Sequence, residues 1–186
     1  MKKFLICFFA IFLLGTATFA EDYDFRNTRW GMSPGEVKRA EKSNLISQER
    51  ERLYYDTEIN GMNFVLAYTF ADNKLIEACY LSNFQHFNSN SFIDDFYNLK
   101  DLFDKKYGKF AGEVEHWNGD GGDYDKGDLV SMGYLSYLAL WETSSTEISL
   151  MLNGDNLKTN MFIYYQSKKY HYESEQREQQ RKLENI

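Results

Sequence analysis

Ser91-Phe92-Ile93-Asp94-Asp95-Phe96-Tyr97-Asn98-Leu99-Lys100-Asp101-Leu102-Phe103-Asp104-Lys105-Lys106-Tyr107-Gly108 is the stretch that decides the architecture. Phe92, Phe96, Leu99, Phe103 and Tyr107 recur at helical spacing with Ile93 and Leu102 beside them, so one side of a helix is apolar. Asp94, Asp95, Asn98, Lys100, Asp101 and Asp104 take the other side. Ser91 is placed to cap the first free amides. Asp94 and Asp95 suit the positive end of the helix dipole, Lys105 and Lys106 the negative end, and Gly108 a left-handed stop. An amphipathic helix of this kind must cover something. The sequence on both sides of it reads as antiparallel strand, so the predicted fold is α+β, an antiparallel sheet covered by helices on one face.

Working outward toward the amino terminus, Trp30-Gly31-Met32-Ser33-Pro34-Gly35-Glu36-Val37 carries a capping box between Ser33 and Glu36, with proline at the first helical position. A short helix is expected over 34–42, with Val37 and Ala40 facing inward and Trp30 packed over its start. Strands follow at 53–56, at 62–70 after the hairpin signal Asn60-Gly61, and at 75–81 after Ala71-Asp72-Asn73-Lys74. Ile76, Ala78 and Tyr80 share one face of the last of these, and Cys79 points the other way, as a small packed thiol. On the carboxyl side of the helix, 117–128 is rich in Gly and Asp and reads as the least ordered stretch. Strands resume at 134–141, 147–152 and 159–166, separated by Thr143-Ser144-Ser145-Thr146 and Asn153-Gly154-Asp155-Asn156. The two halves, 28–82 and 91–167, each read as one helix plus three strands within a single domain spanning 21–167. Residues 168–186 are polar, a solvated helix or a disordered tail.

At the amino terminus Met1-Lys2-Lys3 precedes an unbroken apolar run from Phe4 to Leu14, and small residues lead to Ala20. That pattern predicts a secretory signal peptide over 1–20, because the run is shorter than the ~20 residues a spanning helix needs. Removing it takes the net charge from −7 to −9 and leaves Cys79 as the remaining cysteine, so packing rather than a disulfide must supply stability. No cysteine stands at the cleavage point, so no stable membrane anchor is expected after cleavage. The destination is the periplasm or the exterior. An acidic chain lacks the clustered Lys and Arg that nucleic-acid binding requires.

Candidate sites are few. Asp120, Asp123, Asp125 and Asp128 are hard oxygen donors on a glycine-rich loop, the donor type that Ca2+ takes, although the spacing is not that of the helix-loop-helix calcium motif. His86, His116 and His171 are far apart, with no zinc spacing, and there is no Gly-x-Ser-x-Gly or His-Glu-x-x-His motif. Adjacent strand residues face opposite sides, so one of Tyr54 and Tyr55, and one of Tyr164 and Tyr165, must leave the core; these four tyrosines are the candidate binding residues.

The segment Trp30-Gly31-Met32-Ser33-Pro34-Gly35-Glu36-Val37 resembles the Gly-Met-Thr or Gly-Met-Ser helix start, followed by Glu-Val, of small bacterial envelope proteins. These include the outer-membrane β-barrel assembly small lipoprotein family and proteins with the β-lactamase inhibitory protein type of fold. Lys106-Tyr107-Gly108 and Leu140-Trp141 to Ile148-Ser149-Leu150 are similar to a group of uncharacterised secreted bacterial proteins. The resemblance implies helices packed on an antiparallel sheet and an envelope setting; the anchoring cysteine, and a Gly-x-Pro after the first helix, are missing here. Together these features predict an exported, non-enzymatic module that binds an envelope or extracellular protein through a sheet face or loops. The alternatives are a secreted hydrolase using His116 with the acids of 120–128, and a calcium-dependent binding protein using the same loop.

Overall fold

Alternation along the strands decides which side of the sheet is dry. The computed structural model of the protein describes residues 23–112 and 114–184; the expected signal peptide, 1–20, lies outside them. The chain runs α1 (Pro34–Ala40), β1 (Asn44–Gln48), β2 (Arg52–Ile59), β3 (Met62–Ala71), β4 (Lys74–Ser82), α2 (Ser91–Tyr107) and β5 (Glu115–Trp117). It continues through α3 (Lys126–Ser131), β6 (Leu135–Glu142), β7 (Thr146–Asp155), β8 (Lys158–Ser167) and α4 (Lys168–Glu184). All eight strands join one antiparallel sheet in the order β1-β2-β3-β4-β8-β7-β6-β5. The fold is α+β. Each half begins at an edge and ends at the centre, where β4 pairs with β8, so the halves are arranged about the middle of the sheet as near mirror orders. Each half has four strands rather than three, because β1 and β5 extend it at the edges.

Three of the connections are two-residue hairpins in which both central residues have positive φ: Asn60-Gly61, Asp72-Asn73 and Asn156-Leu157. That is the turn whose twist matches paired strands. The last lies two residues beyond the expected Asn153-Gly154-Asp155-Asn156 turn. Gly154 stays in β7 because α3 presses against it; a Cβ there would sit 2.3 Å from the Val130 carbonyl oxygen. A bulge opposite Phe70 places Leu75 in the core with Ala78 and Tyr80, and Ile76, though buried, is outside that cluster.

The core face carries Leu53, Tyr55, Phe64, Leu66 and Tyr68 from the first half and Tyr137, Ile148, Leu150, Ile163 and Tyr165 from the second. Helix α2 covers the second half with Phe92, Phe96, Leu99 and Phe103, each contributing roughly 1.5–3 kcal/mol on burial. Leu102, expected beside this stripe, is exposed. Its amino-terminal cap is Asn90 rather than Ser91, and the Asn90 side chain turns away to accept from the Gly127 amide at 2.8 Å. Gly108 ends the helix at φ +98. In α1 the capping box forms as expected and Val37 is fully buried, but the helix stops at Ala40. Trp30 reaches across the molecule instead of sitting over α1, its indole donating to Thr146 Oγ1 at 2.8 Å.

The segment before α1 is fastened by charge. Arg26, in the left-handed region at φ +50, sends its guanidinium to Glu41 at 3.1 Å, to Ser43 and to Thr57. Glu41 also accepts from the Tyr68 hydroxyl at 2.6 Å and from the Lys42 and Ser43 amides at 2.8 Å. Burial disfavours the Glu41 charge, yet the bonds from Tyr68 and Ser43, with Arg26, hold its carboxyl below the ordinary range. Phe25 is thereby set among Tyr68, Tyr80 and Tyr165, with ring centroids 4.6–5.7 Å away. Residues 168–184 form α4, which packs by Tyr170 near Gly31 and ties Arg177 to Asp72 at 2.9 Å.

Candidate functional site

Strand register lays the outer face of the sheet out in rows. One row runs Leu140, Ser149, Tyr164, Cys79, Ala67, Tyr54 and Ser47 from β6 to β1. Beside it runs Leu138, Met151, Phe162, Leu81, Val65 and Asp56. The row on the other side is Glu142, Glu147, Gln166, Glu77, Thr69 and Arg52. Helices α2 and α3 fill the opposite face, and none of these residues belongs to the core cluster. The outer face is therefore a band two rows deep, apolar at its centre, with three carboxylates along one border.

Tyr54 and Tyr164 stand in the same row, separated by the small residues Ala67 and Cys79, and both are half-buried. Tyr55 and Tyr165 lie on the core face, 2% and 7% exposed. Parity of the strand requires this split; register decides which member of each pair faces out. Phe162 stacks near Tyr164 with centroids 5.9 Å apart, giving the band a stacked aromatic pair. A shallow depression of about 440 Å³ opens where Ser149 is small between Leu140 and Gln166. Phe162, Met151 and Leu138 are the outward residues that sequence reasoning did not single out. The alternation in 134–141, 147–152 and 159–166 contained that signal, since Leu138, Met151 and Phe162 are apolar residues at the positions opposite in parity to the core set.

Cys79 is 5% exposed, and burial, with the Glu77 charge, pushes its thiol up to about 12. A thiol that stays protonated is a poor nucleophile. Burial also raises Tyr164, to about 12, so its hydroxyl remains a neutral donor.

No protein-family model, curated protein or solved structure matches this chain.

The remaining candidates are placed apart from this band. Asp120 uses Oδ1 to accept from the Gly122 amide, Asp125 precedes α3 and Asp128 lies in its first turn. Among the described residues, no three His, Cys, Asp or Glu side chains converge as a metal site, and Asp120, Asp123, Asp125 and Asp128 are not gathered. His116 is exposed on β5, and among the described residues no ion pair joins it to those acids. His86 pairs with Asp95 at 2.6 Å between Phe84 and Phe92. Among the described residues no serine, threonine or cysteine side chain bonds a histidine ring; the Ser174 hydroxyl donates to the His171 carbonyl instead.

A second concavity, about 540 Å³, opens between Phe25, Lys106, Tyr107 and Ser145. Its Asp24 is committed on both oxygens, to the Trp30 amide at 2.9 Å and the Ser145 hydroxyl at 2.5 Å. Arg26 is committed to Glu41. The cleft thus serves to fasten 23–30 across the β6–β7 turn.

Proposed function

We propose that this is an exported, non-enzymatic binding module of the cell envelope, whose outer sheet face docks a protein with an apolar centre and a basic rim. The observation that carries the reading is the band itself, with Leu138, Met151, Phe162 and Tyr164 presented beside Glu77, Glu142 and Glu147. Side chains on paired strands are held by the ladder, so an apolar partner orders little on binding. Glu77 and Glu147, with Glu142 paired to Lys168 at 2.5 Å and Arg52 at the far end, leave the border net acidic, which favours approach of Lys and Arg and disfavours nucleic acid or an anionic leaflet. Export rests on the sequence of 1–20, with its basic start, apolar run and small-residue end.

Two experiments test this. Affinity capture from crosslinked cells compares the wild-type chain with a Glu77→Lys, Glu142→Lys, Glu147→Lys variant. A partner recovered by the first and lost by the folded variant supports the reading, and equal recovery by both overturns it. Mass measurement of the protein from cells reads export; a chain lacking 1–20 supports it, and an intact Met1 overturns it.

A further inference from the structure

Three stretches, 84–90, 117–134 and 155–158, carry large apolar side chains toward one end of the sheet and leave them in water. Phe87 is fully exposed, Leu157 76%, Tyr124 63%, Trp117 52% and Tyr134 40%. Helix α3 is tied to the segments that carry them. Its Gly127 amide donates to Asn90 Oδ1 at 2.8 Å, fixing the loop that holds Phe87, and its Ser131 carbonyl accepts from the Leu157 amide at 3.0 Å. Tyr134 donates its amide to Leu129, Asn118 donates its own to Tyr134, and Leu129 lies against Gly121. Gly127 and Gly154 exist to allow this approach, since a Cβ on either would fall within 2.4 Å of backbone atoms. Trp117 projects from β5, Tyr134 from the residue before β6 and Leu157 from the β7–β8 turn.

Leu157 is the most informative. The other two-residue hairpins place Asn60-Gly61 and Asp72-Asn73 at their positive-φ positions, residue types that tolerate that conformation. Here a leucine sits at φ +61 with most of its side chain in solvent, unsuited to its backbone and unburied. The amide ties the turn to α3, but the leucine side chain itself packs against little, and an exposed apolar group in a strained position is the kind suited to a contact.

Charge selects the contact. Asp123, Asp125 and Asp128 lie in the stretch that carries Tyr124 and starts α3, and Asp155 and Lys158 face each other across the hairpin that carries Leu157, while Lys126 is paired with Glu115 at 2.5 Å, so acids outnumber bases along these segments. Anionic lipid and nucleic acid are repelled, while Lys and Arg are attracted and can rest on the faces of Trp117, Tyr124 and Tyr134.

We propose that the α3 end of the sheet is a docking surface for a Lys- and Arg-rich amphipathic segment of a partner protein, its apolar side chains seated on Leu157, Trp117 and Phe87. It shares no residue with the outer-face band and stands or falls independently of it.

The test is a titration of the ¹⁵N-labelled protein with an amphipathic Leu/Lys peptide, its Leu/Glu counterpart, and phosphatidylglycerol vesicles, read from backbone amide shifts. The expected result is that the Leu/Lys peptide alone moves amides in 84–90, 117–134 and 155–158. Binding should weaken about tenfold in Leu157→Gly and in Trp117→Ala, the scale set by burying one large apolar side chain. Leu157→Gly should also melt no lower than wild type, because glycine suits φ +61. Both variants leave the net charge unchanged, so unspecific attraction to an acidic chain would give the same affinity in all three; that result overturns the proposal. Shifts confined to the outer face of β7 and β8, or an equal response to the Leu/Glu peptide or the vesicles, overturn it as well.

Discussion

Replacing Glu41 with alanine tests how the amino-terminal segment is fastened. The carboxylate side chain is 1% exposed and accepts from Tyr68, from two amides and from Arg26. Its loss leaves the Tyr68 hydroxyl, on a fully buried residue, without its acceptor, which costs about 1–3 kcal/mol. The Arg26 guanidinium also loses its countercharge; its side chain is 29% exposed, so water recovers part of that loss. Breaking a buried pair costs about 3–5 kcal/mol in total, and the partial exposure of Arg26 places this case near the lower figure, about 3 kcal/mol. For a domain of this size that is a fall in Tm of roughly 6–12 °C. Glu41→Gln keeps an acceptor for Tyr68 and should lose about half as much. Urea unfolding followed by tryptophan fluorescence gives both values from the midpoint at constant slope. The effect must also depend on pH in one direction. The folded carboxyl titrates below its unfolded counterpart, so its contribution is complete above about pH 5 and disappears as pH falls through the folded value; the gap between wild type and Glu41→Ala therefore closes in acid. A loss under about 1 kcal/mol, or a gap that widens in acid, would refute the assignment of Glu41 as the buried anchor.

Gly127→Ala should destabilise by about 1–3 kcal/mol in urea, since its Cβ meets the Asn90 nitrogen and the Ser89 carbonyl carbon at 2.4 Å; an unchanged midpoint would mean that α3 is not clamped to 84–90. Cys79 should resist an alkylating reagent at pH 8 in the native protein and react at once in denaturant, as mass spectrometry would show; rapid native modification would contradict a thiol raised to about 12. Millimolar Ca2+ should leave Tm unmoved, because the acids of 120–128 do not converge; a rise of several degrees would mean that the loop rearranges around the ion.

What could be read from the sequence follows from how local each signal is. Helix α2 was legible because its apolar period is carried by its own residues, and the Asn60-Gly61 and Asp72-Asn73 hairpins because their turn chemistry sits in two positions. Strand β1 has no such signal. All five of its residues are exposed and it pairs along one edge, so nothing in it alternates. Helix α3 has six residues, and the meaning of Gly127 and Gly154 lies in partners 37 and 24 positions away, at Asn90 and Val130. Gly154 therefore reads locally as a turn. For the candidate site, parity established that one tyrosine of each adjacent pair faces outward, but choosing Tyr54 and Tyr164 over Tyr55 and Tyr165 needs the pairing register. Leu102 shows the converse limit, since a residue at the edge of a helical stripe is covered only if the neighbouring strand extends beneath it.

The central claim is that the outer sheet face is where a protein partner sits. A photo-activated crosslinking residue placed at Tyr164 or at Phe162, and as a control at the exposed Tyr172 of α4, would be irradiated in the cells that make the protein. One discrete crosslinked species is expected from the first two positions, of a mass matching neither the chain nor its dimer, and none from Tyr172. Crosslinks absent from Tyr164 and Phe162, or equally strong from Tyr172, would contradict it.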